Sequence, residues 1–289
     1  MRIANLAGRL VLVTDAGAVD VEEASQGRFG SDPSTIYDDW ADFTAWAAAA
    51  DLPEGRAFAE TDLGCAVPAP GQIFAIGLNY KEHALESGFT DFPVEPPVFT
   101  KFRGSLAAPY GELALPTQTV DWEAELVVVI GEEADQVAAA DAWSHVAGLA
   151  VGQDYSERTR QLVAPAPQFS LGKSFPGFAP IGPAVVTIDE LDDPDDLEIG
   201  CSIDGEQVQK GRTSDLIFPV SQLIERLSAV VPLQPGDLIF TGTPSGVGGG
   251  MKPPRFLKPG EQVVTWIEGL GELRQTCFPG RPHTTASAS

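Results

Sequence analysis

From Gln72 onward the chain is a series of short apolar runs punctuated by Gly and Pro. The runs Ile73–Gly77, Val98–Lys101, Glu123–Ile130, His145–Gly152, Ala184–Thr187, Glu198–Ile203, Asp237–Thr241 and Gln262–Ile267 predict β-strands. Helical spacing is scarcer. It predicts helices over Tyr80–Ser87, briefly after Gln136, and over Pro219–Ser228, where Leu223, Ile224 and Leu227 share a face. Many strands, few helices and no strand–helix alternation predict a β-rich α+β fold rather than a doubly wound sheet.

The first 70 residues read differently. Arg9–Asp15 is strand-like, Gly17 follows as a turn, and Tyr37–Ala50 is a helix rich in Ala and Trp. Val67-Pro-Ala-Pro-Gly71 marks a boundary. The expected organisation is a small amino-terminal cap over 1–70, a main body over 71–280 and a disordered tail over 281–289. No internal repeat is visible.

Composition narrows the classes of function. Acidic side chains number 41 and basic ones 18, giving a formal charge of −23. Such a surface repels nucleic acid and anionic membranes, which are bound through Lys and Arg patches. Cys65, Cys201 and Cys277 are scattered and form no CxxC, so neither a disulfide framework nor a cysteine zinc site is expected. With no secretory leader at the amino terminus and no apolar stretch of membrane-spanning length, the expected location is the cytoplasm.

In the strand predicted from Glu123, residues two apart share a face, so Glu123 and Glu125 point together on a run that is otherwise apolar. Two buried carboxylates need a cation. Pairing with Lys or Arg at a solvated strand end is an equally good reading of this segment alone. Asp154 follows the next apolar run, Val146–Gly152, and offers a third oxygen ligand. An all-oxygen set selects Mg²⁺ first, then Mn²⁺ or Ca²⁺, over zinc.

His83 and Glu86, three apart on the predicted helix, form a candidate general base and its orienting carboxylate. An ordinary surface pair is the commoner meaning of that spacing. The loop from Gly88 to Pro97 could be a lid or a plain connection. His145, in an apolar stretch, is expected to be structural, and His283 falls in the tail. Gly172-Lys173-Ser174 fails as a phosphate loop, because the motif's first glycine would fall on Pro167. Gly246-Val-Gly-Gly-Gly250 is followed by Pro253 and Pro254 and opens no helix, which argues against a dinucleotide site.

Taken in order, GLNYKEHALESG (77–88), PPVFTKF (96–102), DWEAELVVVIG (121–131), AGLAVGQDYSERTRQ (147–161), LGKSFPGFAPIGP (171–183) and PGDLIFTGTPSGVG (235–248) resemble the fumarylacetoacetate hydrolase family. The resemblance spans about Gln72 to Gln275 and does not reach the first 70 residues. It implies a mixed β-roll and a homodimer. It also implies a metal held by Glu123, Glu125 and Asp154, and water handled by His83 and Glu86. Lys173 would be the family's catalytic lysine, with Gln161 and Thr243 binding substrate. The implied substrate is a small anionic oxo acid. Hydrolysis of a β-diketo acid of the acylpyruvate kind leads. Decarboxylation of oxaloacetate, and isomerisation or hydration of hydroxymuconate-type diacids, share the same core motifs. A non-catalytic, metal-stabilised binding protein is the alternative from outside enzymology.

Overall fold

The computed structural model describes residues 1–86, 88 and 91–280. The tail expected over 281–289 lies outside the described residues, as do Ser87, Phe89 and Thr90 of the expected helix end and lid. The amino-terminal strands are β1 (Arg2–Leu6), β2 (Arg9–Thr14) and β3 (Gly17–Asp20). Next come β4 (Ile73–Ile76), β5 (Val98–Thr100), β6 (Leu106–Ala107), β7 (Tyr110–Leu115) and β8 (Val120–Asp121). The centre holds β9 (Ala124–Ile130), β10 (Val146–Gln153), β11 (Ser156–Glu157) and β12 (Ala179–Val186). The chain ends with β13 (Glu198–Ile203), β14 (Glu206–Arg212), β15 (Leu238–Phe240), β16 (Gln262–Ile267) and β17 (Gly271–Pro279). The α-helices are short: α1 (Val21–Ala24), α2 (Trp40–Ala49), α3 (Lys81–Glu86), α4 (Arg158–Gln161), α5 (Phe169–Gly172) and α6 (Val220–Ser228).

A ten-stranded mixed sheet runs β3-β2-β1-β12-β10-β9-β15-β4-β5, with β6 added beside β12. A five-stranded sheet runs β14-β13-β16-β17-β7. Strand β9 is buried along its whole length, which is why its sequence is apolar apart from Glu125. On one face Leu126, Val128 and Ile130 pack with Ile199, Ile203 and Val263 of the second sheet and with Leu223 and Ile224 of α6. On the other face Val127 and Val129 pack with Leu10, Val19 and Phe43 of the amino-terminal segment. That segment covers the sheet and is also stitched into it, through β1 against β12.

Several strand boundaries moved. Glu123 stands just before β9 rather than within it, and the strand expected over Ala184–Thr187 starts earlier, at Ala179. His145 closes a 3-10 turn, Ala142–His145, which is the short helix expected after Gln136, and β10 starts one residue later. The strands missed by the pattern include β3, β7 and β14, all at sheet edges, where half-exposed polar residues dilute the alternation. Gly17, expected as a turn, opens β3 with φ 127°. A Cβ there would lie 2.4 Å from the Arg56 carbonyl oxygen, so only glycine allows the two backbones to pair. All three cysteines are free thiols.

Candidate metal and oxo-acid site

Strand register assembles the site. β9 and β10 are antiparallel, with Gly152 opposite Glu125 and Gln153 opposite Ala124. The next step along β10 brings Asp154 to Glu123, and the Asp154 N–H donates to the Glu123 carbonyl at 2.9 Å. On the other side β15 runs along β9, and beyond its end Gly242 N–H donates to Glu125 Oε2 at 2.8 Å. Strand β4 lies beside β15 and leads through Gly77 into α3, which carries His83 and Glu86. The ends of four adjacent strands thus converge on one cavity of about 730 Å³. His83, Glu86, Glu123, Glu125, Gln161, Lys173 and Thr243 all line it. Asp154, fully buried, completes the acid cluster beside it.

Glu123, Glu125 and Asp154 each place a carboxylate oxygen within 4.8 Å of the others. The carboxylates are buried rather than solvated, yet Glu123 and Asp154 are also paired with cations. Lys173 Nζ bridges Glu123 Oε2 and Asp154 Oδ2, each at 2.6 Å. Lys101 Nζ donates to Asp154 Oδ1 at 2.5 Å and to the Lys173 carbonyl. Arg158 reaches Glu123 Oε1 at 2.6 Å and Asp121 Oδ2 at 2.7 Å.

Burial opposes ionisation of Glu123, but Lys173 and Arg158 outweigh it and pull the carboxyl down to about 2. Burial also opposes the Lys173 ammonium, and Asp154 and Glu123 overcome it, raising the group above the ordinary lysine range. Lys101 goes the other way, lowered by complete burial despite Asp154. Glu125 differs from its neighbours. Among the described residues only the Gly242 N–H donates to it, and burial together with the charges of Asp154 and Glu123 raises it well above the carboxylate range. Among the described residues, Lys101, Lys173 and the largely buried Arg158 thus face four buried carboxylates, counting Asp121, and Glu125 is the one in no ion pair. A small divalent cation at the triad would meet that deficit through oxygen donors alone, so the residues fit Mg²⁺, Mn²⁺ or Ca²⁺.

The remaining residues are held by specific contacts. Glu86 Oε2 faces His83 Nδ1 at 3.4 Å, and the Gly246 N–H donates to both Glu86 oxygens, at 3.2 and 3.1 Å. Arg158 donates to Gln161 Oε1 at 2.9 Å, and Gln209 donates to Thr243 Oγ1 at 2.8 Å. Gly246–Gly250 is no phosphate loop. Asp121 accepts from the N–H groups of Gly248 and Gly249, each at 2.8 Å, which folds the loop against Glu86. Sequence reasoning gave no role to Lys101, Asp121, Arg158 or Gln209. The first three lie inside the quoted segments, and Asp121 and Arg158 sit two and three residues from candidate site residues. Gln209 lies on a polar edge strand and carries no such signal. His145, expected in the core, is half-buried, and its buried Nδ1 has no partner among the described residues.

The fold and this acid cluster define a class of protein, and the comparisons agree on it. Residues 72–277 match the model for the fumarylacetoacetate (FAA) hydrolase C-terminal domain, and the chain belongs to that family. The human mitochondrial oxaloacetate tautomerase FAHD2A is 45% identical over 209 residues, 72% of this chain and 66% of that protein. The chain thus spans just under two thirds of that relative's length. The structure of a candidate HpcE protein from Mycobacterium smegmatis superimposes with a TM-score of 0.93 at 54% identity, over 96% of this chain and 99% of that one. Maleylpyruvate hydrolase from Sphingobium sp. SYK-6, solved with manganese(II) and pyruvate, gives a TM-score of 0.79 at 27% identity, over 97% and 100% of the two chains. No helix among the described residues is long and apolar enough to cross a membrane.

Proposed function

We propose that this protein is a divalent-metal-dependent hydrolase that cleaves a carbon–carbon bond in a β-diketo acid of the acylpyruvate kind. The observation that carries this reading is the shared cavity: the His83–Glu86 pair lines the same space as Glu123, Glu125 and Lys173. Glu123, Glu125 and Asp154 would hold Mg²⁺, with Mn²⁺ or Ca²⁺ as alternatives, and the bound ion supplies Lewis-acid stabilisation of charge on the 2-oxo acid. Glu86, itself fixed by the Gly246 N–H, accepts from His83 Nδ1 and leaves Nε2 free as the base. His83 takes a proton from water, whose oxygen attacks the distal carbonyl. The bond to the central carbon then breaks, giving a carboxylic acid and the enolate of a pyruvate unit. The proton held by His83 is returned to that enolate. Lys173 adds positive charge beside the developing anion, and Gln161 and Thr243 hold substrate oxygens. The manganese and pyruvate in the Sphingobium enzyme support this assignment of the acid cluster. A homodimer in the cytoplasm accompanies the proposal.

A second reading has a specific observation behind it. The 45% identity to an oxaloacetate tautomerase favours proton transfer on an oxo acid without an attacking water; decarboxylation and isomerisation belong to the same group, whereas hydration consumes a water. Glu86→Gln separates the two. Under the hydrolase reading it lowers acetylpyruvate cleavage by about 100-fold and spares oxaloacetate tautomerisation or decarboxylation. If the wild-type protein cleaves no acylpyruvate at any metal concentration, the hydrolase reading is wrong.

A further inference from the structure

Gln209 is the one buried residue of β14, a strand at the edge of the five-stranded sheet, and it is only 1% exposed. A buried polar side chain on a solvated edge strand calls for partners. The register with β13 shows how it reaches them. Cys201 faces Gln209 and Ser202 faces Gln207, so Val208 is an extra residue, a β-bulge that re-aims the side chain beside it. The bulge meets the segment after β15 at close range. A Cβ on Gly246, where φ is 101°, would lie 2.0 Å from the Val208 carbonyl oxygen, and one on Gly211 would lie 2.8 Å from the Pro244 Cβ. The two glycines let β14 lie against the 243–246 turn, and Gln209 spans the contact.

Both ends of the Gln209 amide are engaged. Its Oε1 accepts from the Ala124 N–H at 2.9 Å, between Glu123 and Glu125. Its Nε2 donates to the Pro244 carbonyl and to Thr243 Oγ1, each at 2.8 Å. Two main-chain groups of opposite polarity fix this orientation. Turning the amide over would set its NH₂ against the Ala124 N–H and its oxygen against the Pro244 carbonyl. Thr243 Oγ1 is therefore the acceptor in its bond with Gln209. Its own proton is left over, because no described residue accepts from it. Thr243 is buried and lines the cavity, so an oxygen of a bound molecule is the acceptor that this geometry leaves for it.

We propose that Gln209 is a positioning residue, which fixes the Thr243 hydroxyl as a hydrogen-bond donor to the bound oxo acid. The inference rests on the oxo-acid reading of the site, so one arm of its test is independent of any ligand. In the first arm the Mg²⁺-loaded protein is titrated calorimetrically with pyruvate, for wild type, Gln209→Met, Thr243→Val and the double variant. Gln209→Met keeps the length of the side chain and loses the amide. It weakens pyruvate binding about five-fold, the scale of one neutral hydrogen bond. In the Thr243→Val background the same change leaves the affinity unaltered, since the hydroxyl it would orient is gone. A glutamine with a merely structural role would weaken both backgrounds equally. That result, or unchanged binding by Gln209→Met, overturns the proposal. The second arm is neutron diffraction from perdeuterated wild-type crystals. It should show the Gln209 Nε2 deuterons directed at the Pro244 carbonyl and Thr243 Oγ1, with the Thr243 deuteron turned toward the cavity. A Thr243 deuteron lying on the line to Gln209 overturns the proposal. Failure of pyruvate to bind wild type overturns the oxo-acid reading instead, and the neutron result still decides the orientation of the hydroxyl.

Discussion

At the scale of single residues, Glu125 and Lys101 are the informative pair. Both are fully buried, in a region where an unpaired charge is costly. Lys101 is balanced by Asp154. Removing it in Lys101→Met leaves a buried carboxylate with one cation fewer. We expect a loss of about 3 kcal/mol in urea unfolding of the chelated protein, with the denaturant dependence unchanged. The acids of this site were legible in the sequence because strand alternation converts Glu-x-Glu into one face, and an apolar strand makes a carboxylate there conspicuous. Their partners were not. Lys101 at the end of a short run and Arg158 on a single helical turn have no periodicity, and only the packed structure brings both to the same carboxylates.

At the scale of elements, the site depends on the segments just past the strand ends. Gly246–Gly250 illustrates how a sequence signal can be read as an absence. Its glycines rule out a dinucleotide loop with no helix behind them, yet they are needed where the backbone approaches Glu86 and Asp121. In Gly250→Ala the new methyl meets the movable end of Glu86. We expect turnover to fall at least about ten-fold while stability changes by less than about 1 kcal/mol, seen by steady-state kinetics beside thermal melting. Far from the site, Asp20 caps α1 by accepting from the Glu23 N–H at 3.0 Å and pairs with Arg9 at 2.6 Å. The hydrogen bond from Arg9 holds its carboxyl below the usual range. Its stabilisation is therefore present above the unfolded value of about 3.9 and is lost as pH falls through the lower folded value. Asp20→Asn should cost about 1 kcal/mol at pH 7, and urea melts should show the difference shrinking at pH 3. β9 was legible for the reason that β14 was not: β9 is covered on both faces, whereas β14 alternates with solvent and reads as a loop.

At the scale of the whole molecule, the β-rich α+β architecture followed from strand count and turn spacing, but the attachment of residues 1–70 did not. β1 pairs with β12 and so extends the large sheet, a contact between residues more than 180 positions apart that no local pattern encodes. Phe43 and Leu10 cover Val127 and Val129 of β9. A chain beginning at residue 71 would expose that face, and we expect it to be recovered chiefly in aggregated form, as judged by size-exclusion chromatography. In a chain with 41 acidic and 18 basic residues, Lys101, Arg158 and Lys173 are gathered at this site, where a bound divalent ion would add to their positive charge. The role of that ion is the central claim. It is tested most directly by following acetylpyruvate cleavage through the loss of its enol absorbance, in chelated protein before and after Mg²⁺ is returned, for wild type and Glu125→Gln. Cleavage should be absent without metal, recover in wild type, and stay at least about 100-fold lower in Glu125→Gln. Undiminished cleavage by the chelated protein, or by Glu125→Gln, would contradict the account.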